Sequence, residues 1–135
     1  MLVVDASVAV KWFVPEAGSA EAERLAAEET LHAPSLLRVE VGNAFRTLAA
    51  RGSLSEPDAA EAMALLLAAP VALHEPSDGL MAAALDLALL LDHPIYDCLY
   101  LALALDLGAP LMTADARFHR AASSSPDLRG IVRLL

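Results

Sequence analysis

Cysteine is almost missing from this chain. Cys98 stands alone among 135 residues, which excludes an internal disulfide and any zinc site built from several cysteines. Lysine is as scarce: eight of the nine bases are arginine, and only Lys11 is lysine. Against those nine stand 18 acids, for a net charge of −9. A balance of that sign excludes a broad basic coat for nucleic acid and suits a basic partner or bound cations. No apolar run reaches the ~18–20 residues that span a bilayer. Met1-Leu2-Val3-Val4-Asp5 lacks the basic flank of a signal peptide. The expectation is a soluble cytoplasmic protein with no membrane partner. There is no glycine-rich phosphate loop and no Gly-x-Ser-x-Gly elbow, which sets aside nucleotide triphosphatases and serine hydrolases. His32, His74, His93 and His119 show no ligand spacing such as His-x-x-x-His and read as structural or exposed.

What the chain does have is apolar surface. Hydrophobic residues make up 57%, above the usual ~45–50%. That supplies a sizeable core and points to a further buried face beyond it. With no linker, repeat or composition break, residues 1–135 read as one domain. Leu2-Val3-Val4 resembles a buried parallel strand, after which Ser7 is expected to cap a short helical turn through Val10 to Phe13. Helices are predicted over 19–29 and 36–50, the second starting at Pro34-Ser35 and ending at Gly52. Ser55-Glu56-Pro57-Asp58 opens a further helix that stops before Pro70. Ser77 or Asp78 caps one over 78–91, and another spans 95–107 up to Gly108. Strands are predicted at 31–33, 71–74, 111–113 and 131–134. Such alternation predicts right-handed crossovers and an α/β fold with a parallel sheet.

In open parallel sheets, ligands bind beyond the C-terminal strand ends. Asp5 and Asp115 each follow a predicted strand. Asp97 lies in the first turn of the apolar helix Ile95-Tyr96-Asp97-Cys98-Leu99-Tyr100-Leu101, where an isolated carboxylate is costly to desolvate. Glu40 stands among apolar residues of its own helix. Each acid has a plainer reading. Asp97 and Asp115 could serve only as helix caps, and Glu40 as a surface acid; Asp5 fits such a reading least well. Converging at one sheet edge, the four would repel unless a divalent cation sat among them. Oxygen-only ligands suit Mg²⁺ or Mn²⁺, and the chemistry such a site supports is phosphodiester hydrolysis by a metal-activated water. Cys98 reads as a packed core thiol. Trp12 and Phe13 read either as a base-stacking pair or as buried anchors.

Four segments carry a resemblance: Val3-Val4-Asp5-Ala6-Ser7-Val8-Ala9-Val10-Lys11-Trp12, Glu40-Val41-Gly42-Asn43-Ala44, Tyr96-Asp97-Cys98-Leu99-Tyr100-Leu101-Ala102-Leu103-Ala104 and Leu111-Met112-Thr113-Ala114-Asp115-Ala116-Arg117-Phe118. In that order and spacing the chain resembles the PIN domain, and within it the VapC toxins of toxin–antitoxin pairs. The resemblance implies a three-layer α/β/α sandwich with a central parallel sheet. It implies Asp5, Glu40, Asp97 and Asp115 as catalytic, metal-binding acids, with Ser7 and Thr113 as polar supports and Asn43 as a helix neighbour of Glu40. It further implies a Mg²⁺- or Mn²⁺-dependent endoribonuclease acting on tRNA or rRNA, a VapB-type antitoxin partner and a homodimer. The 56–69 and 79–91 helices are expected to face a second subunit or the antitoxin. Lys11, Arg38, Arg46, Arg51 and Arg117 are expected to form a local positive rim for RNA. Phe118-His119-Arg120 stands where some members carry a further acid, which points to a second cation that binds weakly or only with substrate. Two other readings compete. A phosphatase of the haloacid dehalogenase type wants an acid at position 7, which is Ser7. A catalytically inactive interaction module would not need all four acids.

Overall fold

The structure is a computed structural model and describes residues 1–135. Leu2, Val3 and Val4 form strand β1 (Leu2–Val4), and all three are buried. A parallel strand covered on both faces has no solvent side to keep polar, so an unbroken apolar run suits it. Val3 joins the larger hydrophobic cluster, while Leu2 and Val4 join the smaller one on the other face. The chain continues through α1 (Ala6–Ala9), a 3₁₀ turn at Val10–Trp12, α2 (Ser19–Glu28), β2 (Leu31–Pro34), α3 (Leu36–Ala50), α4 (Glu56–Ala68) and β3 (Val71–His74). It then forms α5 (Asp78–Leu91), α6 (Ile95–Leu107), β4 (Leu111–Thr113), α7 (Ala116–Ser123), a 3₁₀ turn at Pro126–Leu128 and β5 (Val132–Leu134).

The five strands lie in the order β3-β2-β1-β4-β5 and every pairing is parallel. Leu2 pairs with Leu31 on one side of β1, and Val3 with Leu111 on the other. The larger cluster joins Val3 and Leu111 to Leu37, Val41 and Phe45 of α3, Ala62 and Leu66 of α4, Leu101 of α6 and Phe118 of α7. The opposite face is covered more thinly, by Ala22, Leu25 and Ala26 of α2 with Trp12. The expected three-layer α/β/α sandwich is therefore present, with unequal outer layers.

Two elements set up the site. The chain steps outward from β1 to β2 and β3, then returns to lay β4 and β5 on the other flank of β1. The strand order thus reverses between β1 and β4, the kind of switch point at which parallel sheets open a crevice. Helix α6 is the second element, with Cys98 through Ala104 all buried. Burial of each leucine there contributes about 1.5–3 kcal/mol, which anchors the first turn of α6 firmly against the sheet.

Local starts and stops follow the sequence with three corrections. Asp5, not Ser7, caps α1: its side chain accepts from the Val8 N–H. Pro34 ends β2 rather than starting α3, and Ser35 makes no side-chain cap there. The last strand begins at Val132, after Ile131. Gly52 closes α3 as expected: at φ 74°, it lets its own N–H reach Ala49 and that of Ser53 reach Leu48. Ser77, rather than Asp78, caps α5. No single helix is long and apolar enough to cross a membrane.

Candidate active site

Asp5 leaves β1 at the switch point and is only 2% exposed. Its Oδ1 accepts from the Ser7 hydroxyl at 2.5 Å and from the Val8 N–H at 3.2 Å. Ser7 in turn accepts the Ala114 N–H at 2.8 Å, so its hydroxyl links the end of β1 to the residue that follows β4. The Ser7 and Thr113 hydroxyl oxygens lie 3.4 Å apart. Thr113 is fully buried, and its Oγ1 accepts the Asp115 N–H at 3.0 Å. A chain of hydroxyls therefore runs from Asp5 to the backbone of Asp115. Ser7 and Thr113, the expected polar supports, both lie in this chain.

Glu40 and Asp97 approach from helices. Glu40 is half-buried on α3, and the Tyr100 phenol of α6 donates to its Oε2 at 3.2 Å. Asp97 does not cap α6, whose N-cap position is Pro94 with no side-chain bond. Its Oδ2 instead lies 2.6 Å from His93 Nε2. Burial raises Asp5 from 3.8 to about 6; the Ser7 and Thr113 hydroxyls oppose this and the nearby Asp97 charge adds to it. Burial likewise raises Glu40 from 4.5 to about 7, opposed by the Tyr100 phenol and reinforced by Asp97 and Asp5. Burial, then the Asp97 charge, pushes the Cys98 thiol up to about 11, in keeping with a packed core thiol.

Asp5, Glu40 and Asp97 thus form one electrostatically coupled group, and no lysine or arginine pairs with any of them. Asp115 stands apart in its bonding. It caps α7, its Oδ1 accepting from Arg117 N–H at 2.8 Å and Phe118 N–H at 3.2 Å. Asn43 is exposed and takes part in none of these hydrogen bonds. As the side chains stand, no three His, Cys, Asp or Glu groups are gathered closely enough to share one ion. The donor set still fits a hard divalent cation. It is oxygen-only, and no lysine or arginine pairs with Asp5, Glu40 or Asp97.

Other expectations turn out differently. Lys11 is committed to Glu16 at 2.9 Å and to the Ala17 carbonyl at 2.7 Å, so it is not a free cation of a positive rim. Arg38 is exposed and donates to the Leu67 carbonyl at 3.2 Å, while Arg46, Arg51 and Arg117 are exposed. Trp12 is an anchor: its Nε1 donates to the Ala22 carbonyl at 2.9 Å, and Phe13 packs edge-on between Trp12 and Phe45. The residues missed in the sequence are His93 and Tyr100. For His93 a signal existed, since a histidine four residues before an acid at a helix start can meet it. Tyr100 and Glu40 are 60 positions apart and carried no local signal.

A protein-family model described as PIN domain matches residues 2–123. The chain is 34% identical over 129 residues to a protein named Ribonuclease VapC12 from Mycobacterium tuberculosis, covering 95% of this chain and 97% of that one. Its fold matches a crystal structure of VapC20 from the same species, titled as a sarcin–ricin loop cleaving toxin. The TM-score is 0.69 at 20% identity, over 90% of this chain and 95% of that one. A second match is VapBC2 from Rickettsia felis, bound to a promoter DNA fragment, with TM-score 0.68 at 17% identity over 98% and 97% of the two chains.

Proposed function

The chain belongs to the PIN domain family, among relatives named VapC ribonucleases, and on that footing we propose that it is a VapC-type toxin, an endoribonuclease that needs Mg²⁺ or Mn²⁺. The observation that carries the metal requirement is the coupled, unneutralised group of Asp5, Glu40 and Asp97 at the β1/β4 switch point.

Asp5, Glu40, Asp97 and Asp115 would hold the cation. When bound, it supplies an activated water and stabilises charge on the phosphate oxygens. The rest falls to the chain's own side chains. The Ser7 and Val8 bonds fix Oδ1 of Asp5 at the strand end. The Tyr100 phenol holds Oε2 of Glu40 across from α6. Asp5 and Glu40, which burial raises to about 6 and about 7, would have to give up any proton they hold for a cation to bind, which would make its affinity depend on pH.

RNA of the tRNA or rRNA class is the proposed substrate. A VapB-type antitoxin is the proposed partner, supported by the likeness to a VapBC assembly and by a charge of −9 that suits an arginine-bearing tail. A homodimer is proposed from the exposed leucines of α5, Leu85, Leu89 and Leu90.

The test is incubation of a pooled tRNA and rRNA sample with antitoxin-free protein in Mg²⁺, Mn²⁺ or chelator, beside Asp5→Asn. Discrete fragments that need the metal and vanish in the variant are expected. Intact RNA under every condition, from folded protein, would overturn the reading.

A further inference from the structure

The His93 ring is a buried titratable group that the mechanism above leaves unused. It sits in the three-residue junction Asp92-His93-Pro94 between α5 and α6, and every degree of freedom there is restrained. Asp92 takes the left-handed conformation at φ 48°, Pro94 fixes the following backbone at φ −55°, and the His93 N–H closes α5 on the Ala88 carbonyl at 3.1 Å. The ring is packed against Phe118 of α7, with centroids 4.8 Å apart and planes inclined by 32°. Its side chain is 6% exposed, against 27% for Asp97.

From that fixed position Nε2 meets Oδ2 of Asp97 at 2.6 Å, across one turn of chain. A ring nitrogen at this distance from a carboxylate is a donor in either charge state of the imidazole. The bond occupies one carboxylate oxygen and leaves Oδ1 without a hydrogen bond to the protein. It is not needed to start the helix, which opens at Pro94 without a side-chain cap.

We infer that His93 is a positioning residue for Asp97: its Nε2–H holds Oδ2 and leaves Oδ1 free for a divalent cation shared with Asp5 and Glu40. This rests on the metal-site reading of those acids. Outer donors that orient a ligating carboxylate typically govern metal affinity by about 10–100-fold.

Two substitutions separate the N–H from the ring. His93→Phe keeps an aromatic ring against Phe118 and removes the donor. His93→Gln removes the ring and keeps an N–H near the Nε2 position. Mn²⁺ is titrated into chelator-stripped wild type, both variants and Asp97→Asn, with free Mn²⁺ followed by electron paramagnetic resonance. Thermal melts report folding. His93→Phe is expected to weaken Mn²⁺ binding by about tenfold or more, and His93→Gln to stay within about threefold of wild type. In metal-free wild type, ¹H–¹⁵N spectra of the imidazoles should show a protected His93 Nε2–H that is lost in His93→Phe and shifted in Asp97→Asn.

A packing role alone gives the reverse order, with His93→Phe like wild type and His93→Gln impaired; that result overturns the inference. So does equal weakening by both variants. If Asp97→Asn loses Mn²⁺ while His93→Phe does not, the metal site stands and the inference falls. A wild-type chain that takes up no Mn²⁺ overturns both.

Discussion

The Tyr100 phenol donates to Oε2 of Glu40 at 3.2 Å, joining the buried helix α6 to α3 across 60 positions of sequence. Tyr100 is fully buried, while Glu40 is half-buried. Tyr100→Phe is expected to cost about 1–3 kcal/mol in urea unfolding. It should also raise the pH at which Glu40 ionises, since the phenol is what opposes the upward push of burial. A variant with unchanged stability and an unchanged Glu40 titration in carboxylate NMR would refute the role.

Asp5 at about 6 and Glu40 at about 7 are both held above their unfolded-chain values of 3.8 and 4.5. The folded state therefore binds these two protons more tightly. Their contribution to stability is whole below about pH 4 and is lost as pH rises through 6 and 7, by on the order of 3 kcal/mol for Asp5 alone. Chelator-treated wild type should lose more stability between pH 5 and pH 8 than Asp5→Asn does, and Mg²⁺ should restore much of the loss. Urea midpoints at the two pH values measure this; parallel changes in the two proteins would contradict it.

Ser7→Ala removes the hydroxyl that binds Asp5 Oδ1 and the Ala114 N–H together. The expected result is a fall of about tenfold in Mn²⁺ affinity with the fold retained. Calorimetric titration with circular dichroism on the same sample decides it. Unaltered affinity would show that Asp5 is held well enough by Val8 alone.

Asp97→Asn separates an enzyme from a module that only binds. RNA cleavage and growth inhibition should both disappear while the melting temperature holds, because Asp97 caps no helix and an amide is isosteric. Undiminished toxicity in cells would favour the binding module.

Leu89 is 73% exposed on α5, beside Leu90 and Leu85. Leu89→Lys is expected to change monomer stability by less than about 0.5 kcal/mol. If α5 meets a second copy, the same change should shift sedimentation towards monomer. A dimer unaffected by it would place the contact elsewhere.

The strands and helices were legible because their signals are local: Leu2-Val3-Val4 before an acid, Ser55 ahead of Pro57, Gly52 and Gly108 after apolar helices. The first cap is ambiguous in sequence, because Asp5 and Ser7 are both good capping residues two positions apart, and only the fold shows Asp5 bonding to Val8. Position along the chain exposed Asp5 and Asp97 as unusual acids, because a carboxylate beside buried residues needs a reason. What holds each acid was not legible. The Ser7–Ala114 and Tyr100–Glu40 bonds depend on how β1 meets β4 and α6 meets α3. His93 has no histidine at ligand spacing; its partner is an acid four positions on, Asp97, a pairing that the fold reveals. The thin α2 layer and the commitment of Lys11 to Glu16 are likewise tertiary outcomes.

The hydroxyl link between Ser7 and Thr113 spans 106 residues, and the strands that carry it are neighbours only because β4 inserts beside β1 near the end of the chain. During synthesis Asp5 therefore leaves the ribosome about a hundred residues ahead of β4, the strand that completes its surroundings. A nascent chain halted before β4 has three of the four acids and no assembled centre.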